Sequence, residues 1–181
     1  MTDSFREFVR SEILNEIFES PLPLTFSKDL TDELKAQFKG KIKAVFVYTT
    51  EIGNDAFLFA VFLHKNAWEV HFSKIEDIDL TPFTGPGTSR LLATAIDLYM
   101  KKFEESRIPI RIYPDKGAEK FYRLYDKVVE YIIKKSKVPT EVESIPQFIA
   151  PNGEIVRATV IKHSSHSILE SLITQPFDGT E

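Results

Sequence analysis

Apolar residues at Phe5, Phe8, Val9, Ile13, Ile17 and Phe18 recur at helical spacing, which predicts an amphipathic helix. Ser4 with Glu7 forms a capping box at its start, and Pro21 and Pro23 end it. A shorter helix is expected between Asp29 and Phe38, closed by Gly40. The pattern then turns to strands. Ile42 to Thr50 is rich in β-branched and aromatic residues and stops at Gly53-Asn54-Asp55. Ala56 to Leu63 is apolar at every position, as a strand covered on both faces requires. Trp68 to Ser73 alternates, with Trp68, Val70 and Phe72 on one side and Glu69, His71 and Ser73 on the other. The short links between these runs predict an antiparallel meander.

Beyond an acidic stretch lies Phe83-Thr84-Gly85-Pro86-Gly87-Thr88-Ser89-Arg90, in which Thr88 or Ser89 is expected to cap the next helix. Leu92, Ala95, Ile96, Tyr99 and Phe103 line one face of that helix. Ile108 to Tyr113 is a further strand. Strand, long helix, strand is the signature of a parallel crossover, so this strand should run parallel to Trp68–Ser73. Another helix is expected from about Ala118 to Lys135, with Phe121, Tyr125, Val128 and Ile132 inward. Ile145–Ala150 and Glu154–Lys162 flank Pro151-Asn152-Gly153, where Asn-Gly signals a hairpin. A short helix near Ser167–Ile173 and a polar tail finish a chain read as one mixed α+β domain.

Composition narrows the chemistry. The 181 residues contain no cysteine, which excludes disulfides, thiolate catalysis and cysteine-ligated metal or iron–sulfur sites. A net charge of -4 gives no overall bias toward nucleic acid, so nucleic-acid binding is not expected. The longest apolar run is far shorter than the ~20 residues of a membrane span, and Met1-Thr2-Asp3-Ser4 does not open like a secretory leader. No membrane partner is expected. His163 and His166 lack a third ligand nearby and read as surface residues, so no metal is expected. Lys134, Lys135 and Lys137 follow a helix and read as complements to its dipole.

The glycine loop carries the clearest chemical signal. Gly85 and Gly87 before a helix opened by Thr88 and Ser89 leave free amides at a positive dipole end, an arrangement that suits phosphate or pyrophosphate, and Arg90 in the first turn adds charge. The loop matches neither a P-loop nor a dinucleotide fingerprint, and it also reads as a tight turn with an ordinary cap. On the alternating strand, Glu69 or His71 reads as a candidate general base, or as part of a solvated strand face.

In its order of elements the chain resembles the GNAT superfamily of acyl-CoA-dependent N-acetyltransferases. More narrowly, it is similar to an uncharacterised group of bacteriophage proteins with a GNAT-like outline. The residues carrying the likeness are Ile13-Leu14-Asn15-Glu16-Ile17-Phe18 with Pro21 and Pro23, Trp68-Glu69-Val70-His71-Phe72, Thr84-Gly85 through Asp97, and Leu124-Tyr125-Asp126-Lys127. The resemblance implies acetyl-CoA as cofactor, its pyrophosphate held by Gly85, Gly87, Thr88 and Ser89. It also implies a tyrosine acid on the later helix, Tyr125 or, in another register, Tyr122. Two departures thin the donor set: Pro82 stands where the family pattern has Gln or Arg, and Pro86 has no N–H to offer.

Two functions follow as expectations. One is a non-enzymatic phage protein on a degenerate acetyltransferase scaffold, binding a virion or host protein in the virion or the host cytoplasm. The other is an acyl-CoA-dependent N-acetyltransferase acting on a host protein lysine or a small amine. An enzyme should keep an open cleft between the strands ending near Ser73 and starting near Ile108. A binding protein would fill it, with Phe72, Phe83 or Tyr113 as the candidates.

Overall fold

The computed structural model describes residues 21–76, 87–114 and 122–164. The helices expected over residues 4–18 and 167–173, the Gly85 loop with Phe83, and His166 lie outside them. Among the described residues ten elements follow in order: β1 (Thr25–Phe26), α1 (Lys28–Gln37), β2 (Ala44–Ile52), β3 (Asp55–His64), β4 (Ala67–Lys74), α2 (Thr88–Ser106), β5 (Ile110–Ile112), α3 (Tyr122–Lys135), β6 (Thr140–Ile149) and β7 (Ile155–His163). The strands form one mixed sheet in the order β1-β2-β3-β4-β5-β7-β6, antiparallel except for β4 with β5. The architecture is therefore α+β, and the parallel crossover read from element order is present.

Ser27 caps α1 by accepting the Leu30 N–H, and its carbonyl accepts the Thr31 hydroxyl at 2.6 Å. Thr31 Oγ1 in turn accepts the Val47 N–H, so the start of α1 satisfies the edge of β2 where the short β1 has stopped. Leu34 and Phe38 pack from α1 onto Val45, Val47, Leu58, Ala60 and Phe62. The opposite face of the meander presents Phe57, Phe59, Val61, Trp68 and Val70 to α2 and α3, which contribute Leu91, Leu92, Ile96, Tyr99, Phe103, Val128 and Ile132. Each fully buried aliphatic or aromatic side chain here contributes about 1.5–3 kcal/mol of transfer free energy. This two-sided coverage explains why β3 has no polar alternation.

Two local expectations change. The residue capping α2 is Gly87, in the left-handed region at φ 86 and with no side-chain cap bond, so Thr88 and Ser89 lie inside the helix. A Cβ at Gly87 would come within 3.0 Å of Ile52 Cδ1, so the start of α2 sits tightly against the end of β2. β6 begins at Thr140, earlier than its sequence pattern suggests, because Thr140–Ser144 gain their partners only from β7. A register shift between Ile145 and Phe148 accommodates Pro146, which can donate nothing to the ladder.

The sheet curls. In strand order β2 and β7 are separated by β3, β4 and β5, yet Lys41 Nζ donates to the Pro151 carbonyl in the β6–β7 turn. Tyr113, Phe148, Ala150, Val156 and Ala158 form a third apolar cluster on the α1 side, and the polar residues of β4 and β5 lie against it.

Candidate functional site

Cross-strand pairing decides where the polar side of β4 points. Glu69 pairs with Phe62 and His71 with Ala60, so both side chains share the α1-facing side rather than water. Glu69 is 0% exposed and His71, His64, Arg111 and Tyr113 are all buried. The solvated-face reading of Glu69 and His71 is thereby corrected: the curl of the sheet brings the Tyr113–Phe148 cluster over them.

Geometry assigns the bonds within this group. Glu69 Oε1 accepts from Arg111 at 2.5 Å and lies 3.1 Å from His64 Nδ1. Glu69 Oε2 accepts the Tyr113 hydroxyl at 2.7 Å and lies 3.6 Å from His71 Nε2. Tyr113 has one hydrogen, and an ionised carboxylate can only accept. With that hydrogen on Glu69, the 3.1 Å contact to His71 requires His71 Nε2–H to donate to the tyrosine oxygen. By the same rule His64 Nδ1 carries a proton toward Glu69. Arg111 also donates to the carbonyls of His64 and Lys65, so it clamps the two-residue β3–β4 turn, where Lys65 and Asn66 both take positive φ. Its guanidinium stacks on Phe148 at 4.3 Å.

Burial by itself would push the Glu69 carboxyl up. The hydrogen bonds from His64 and His71, the Coulombic pull of His71 and the Tyr113 hydroxyl outweigh it, and the group falls to about 2. Such a carboxylate is an anchor of charge and a poor acceptor of protons near neutrality.

On the other face of the same two strands lies the seam between the halves of the sheet. β4 and β5 share a single register pair, Trp68 with Ile110, together with the bond from the Trp68 N–H to the Pro109 carbonyl at 2.8 Å. Beyond that point the strands part, and the Tyr99 hydroxyl from α2 stands between them. It accepts the Val70 N–H at 3.0 Å and faces the Arg111 and Val70 carbonyls at 2.9 and 3.3 Å. Of the residues expected to fill the opening, Phe72 packs on Phe59 and Tyr113 turns to the opposite face toward Glu69. Among the described residues the one between the strands is Tyr99, which its helical spacing marked only as core; Phe83 lies outside them.

The remaining candidates are dispersed. Tyr125 packs half-buried against the α2–α3 core, on the side of the sheet away from Glu69 and His71. The Tyr122 hydroxyl accepts the Arg157 N–H at 3.2 Å beneath that residue's guanidinium. Gly87, Ser89 and Arg90 open α2, with Arg90 exposed. His163 is not a free surface residue: its ring lies on Phe103 at 4.2 Å and Nε2 contacts the Phe103 carbonyl at 2.9 Å. Among the described residues no group of three or more His, Asp or Glu is arranged to hold a metal, and no helix is long and apolar enough to cross a membrane.

Sequence reasoning missed Arg111, His64 and Tyr113 as partners of Glu69. A lone Arg in the apolar strand Ile108–Tyr113 was the available signal, since a buried guanidinium demands a carboxylate. Compared with protein-family models, curated proteins and solved structures, the chain matches none.

Proposed function

We propose that this chain is a non-catalytic binding protein on an acetyltransferase-like scaffold, engaging a virion or host protein. The observation supporting this reading most is the Tyr99 hydroxyl in the β4–β5 seam. In the enzymes the chain resembles, coenzyme A enters where these strands part. Here the Val70 N–H and the Arg111 carbonyl, the groups an inserted arm would use, are already bonded to Tyr99. The residues of the seam as they stand do not fit an inserted acyl-CoA arm. The low pKa of Glu69 and its pairing with Arg111 support the same reading, because a general base for an amine works best with a pKa near the operating pH.

One observation favours the acyl-CoA-dependent N-acetyltransferase instead. The left-handed Gly87 caps α2 without a side-chain hydrogen bond, and the amides of a helix's first turn at its positive dipole end suit an anion such as a pyrophosphate. Calorimetric titration of acetyl-CoA and coenzyme A into the full chain separates the two. We expect no heat and no thermal stabilisation at millimolar ligand. Micromolar binding, lost in Gly87→Glu, would overturn the non-catalytic reading.

A further inference from the structure

Three lysines meet at the end of the sheet where the α1–β2 loop, the β3–β4 turn and the β6–β7 turn converge. Lys41 Nζ donates to the Pro151 carbonyl at 3.3 Å, Lys65 Nζ to the Ile149 carbonyl at 3.2 Å, and Lys43 Nζ to Asn66 Oδ1 at 2.5 Å. Two of the acceptors lie two residues apart on one chain. At roughly 3.4 Å per extended residue, the Lys41 and Lys65 ammonium groups are no more than about 14 Å apart. Asn66 adjoins Lys65, so the third charge belongs to the same corner. Lys39, exposed, precedes them at the end of α1.

Every acceptor here is neutral. The ion pairs among the described residues involve Lys74, Lys101, Lys102, Arg111, Arg157, Lys162 and the two histidines beside Glu69, and none involves Lys41, Lys43 or Lys65. A lysine held by a carbonyl keeps its whole charge and two further N–H groups for solvent or a ligand. Glu154 is the carboxylate on the β6–β7 turn, and among the described residues it forms no ion pair; its backbone N–H donates to Asn152 Oδ1. A chain of net charge -4 thus carries a braced cationic corner.

We propose that this corner docks a short acidic segment of another protein. The proposal builds on the binding-protein reading and names the chemistry of its partner. Three features select a polypeptide over a nucleic acid. The corner spans only four or five extended residues at ~3.4 Å each. The net negative charge repels a long polyanion while leaving a local contact favourable. The exposed apolar residues beside it are aliphatic, Ile149 at 54% and Ile155 at 66%, paired across the turn, whereas single-stranded nucleic acid calls for aromatic stacking platforms. Those two side chains lie on the far side of the β6–β7 ribbon from Phe148, so a segment reaching both crosses its tip.

The test is fluorescence anisotropy of the full chain with a labelled synthetic 16-residue peptide alternating Glu or Asp with Leu. A scrambled-charge Lys/Leu peptide and a 20-nucleotide single-stranded DNA serve as competitors. The expected result is salt-dependent binding of the acidic peptide, weakened at least tenfold in Lys41→Gln/Lys43→Gln/Lys65→Gln and unchanged in Lys101→Gln/Arg123→Gln. Thermal unfolding of each variant confirms that it is folded, and the single variants Lys41→Gln and Lys43→Gln repeat the comparison if the triple is not. No binding, equal loss in the control variant, or tighter binding of the DNA would overturn the proposal. Acetyl-CoA binding would instead overturn the non-catalytic reading, so the two failures are distinguishable.

Discussion

Replacing Arg111 by Met tests whether the buried network holds the two halves of the sheet together. Met preserves the apolar contact with Phe148 but removes the guanidinium 2.5 Å from Glu69 and its bonds to the His64 and Lys65 carbonyls. Glu69 is then a fully buried carboxylate without its guanidinium partner. Breaking a buried ion pair from one side costs about 3–5 kcal/mol, because the remaining charge has lost its compensation. With a urea slope of about 2 kcal/mol per molar, the unfolding midpoint should fall by about 1.5–2.5 M. The one tryptophan, Trp68, adjoins Glu69 in sequence and pairs with Ile110 of β5, so its fluorescence reports on this seam. The double variant Glu69→Gln/Arg111→Met leaves no orphaned charge and should be more stable than Arg111→Met, with a coupling of about 2 kcal/mol in the cycle. A loss below about 1 kcal/mol for Arg111→Met, or strict additivity in the double variant, would refute a buried, mutually dependent pair.

Tyr99→Phe strips the seam of its hydroxyl and strands the Val70 N–H and the Arg111 carbonyl; stability should fall by about 2–4 kcal/mol in urea unfolding. Glu69 has a folded-state pKa of about 2 against an ordinary 4.5, so its contribution is fully present above pH 4.5 and is lost as pH falls toward 2. At 1.36 kcal/mol per unit this amounts to roughly 3 kcal/mol, and an acid titration of stability should show a shallower fall in Glu69→Gln. Gly87→Ala places a Cβ in the left-handed region and within 3.0 Å of Ile52 Cδ1; a loss of about 1–2 kcal/mol is expected by thermal unfolding, and a stabilised variant would contradict the turn geometry.

The elements were legible where local pattern and burial agree. The meander strands fall within two residues of their expected limits, and α1 ends before a Gly40 of positive φ as its sequence implies. The parallel crossover followed from element order, because a long helix between two strands cannot return the chain any other way at low cost. The polar cluster was hidden for a different reason. Alternation in Trp68–Ser73 says that Glu69 and His71 share a face, but it cannot say whether that face is wet. The answer depends on the β6–β7 ribbon folding over β4 and β5, a tertiary arrangement set by Phe148, Ala150 and Val156 far along the chain. The Tyr99 wedge was hidden in the same way: an apolar-face tyrosine at helical spacing reveals nothing of what its hydroxyl reaches.

These two features act on one place from opposite sides. β4 and β5 have a single register pair, so past Trp68 their separation is set by side chains: Tyr99 on the helix face and Glu69 with Arg111 on the other. A ligand that parted the strands would have to displace a hydroxyl bonded to buried backbone groups, and it would strain a buried ion pair as it did so. Proton transfer meets a barrier of its own. A base near pKa 7 is matched to neutral chemistry, whereas a carboxylate held at about 2 by its donors stays ionised near neutrality and holds a transferred proton poorly. For Glu69 to take a proton from an amine, the Tyr113 hydroxyl and the histidines would first have to withdraw, removing the donors that hold the strand pair in register. The features that stabilise this seam are therefore the same ones that keep its strands joined and Glu69 ionised, and Arg111→Met should weaken the fold.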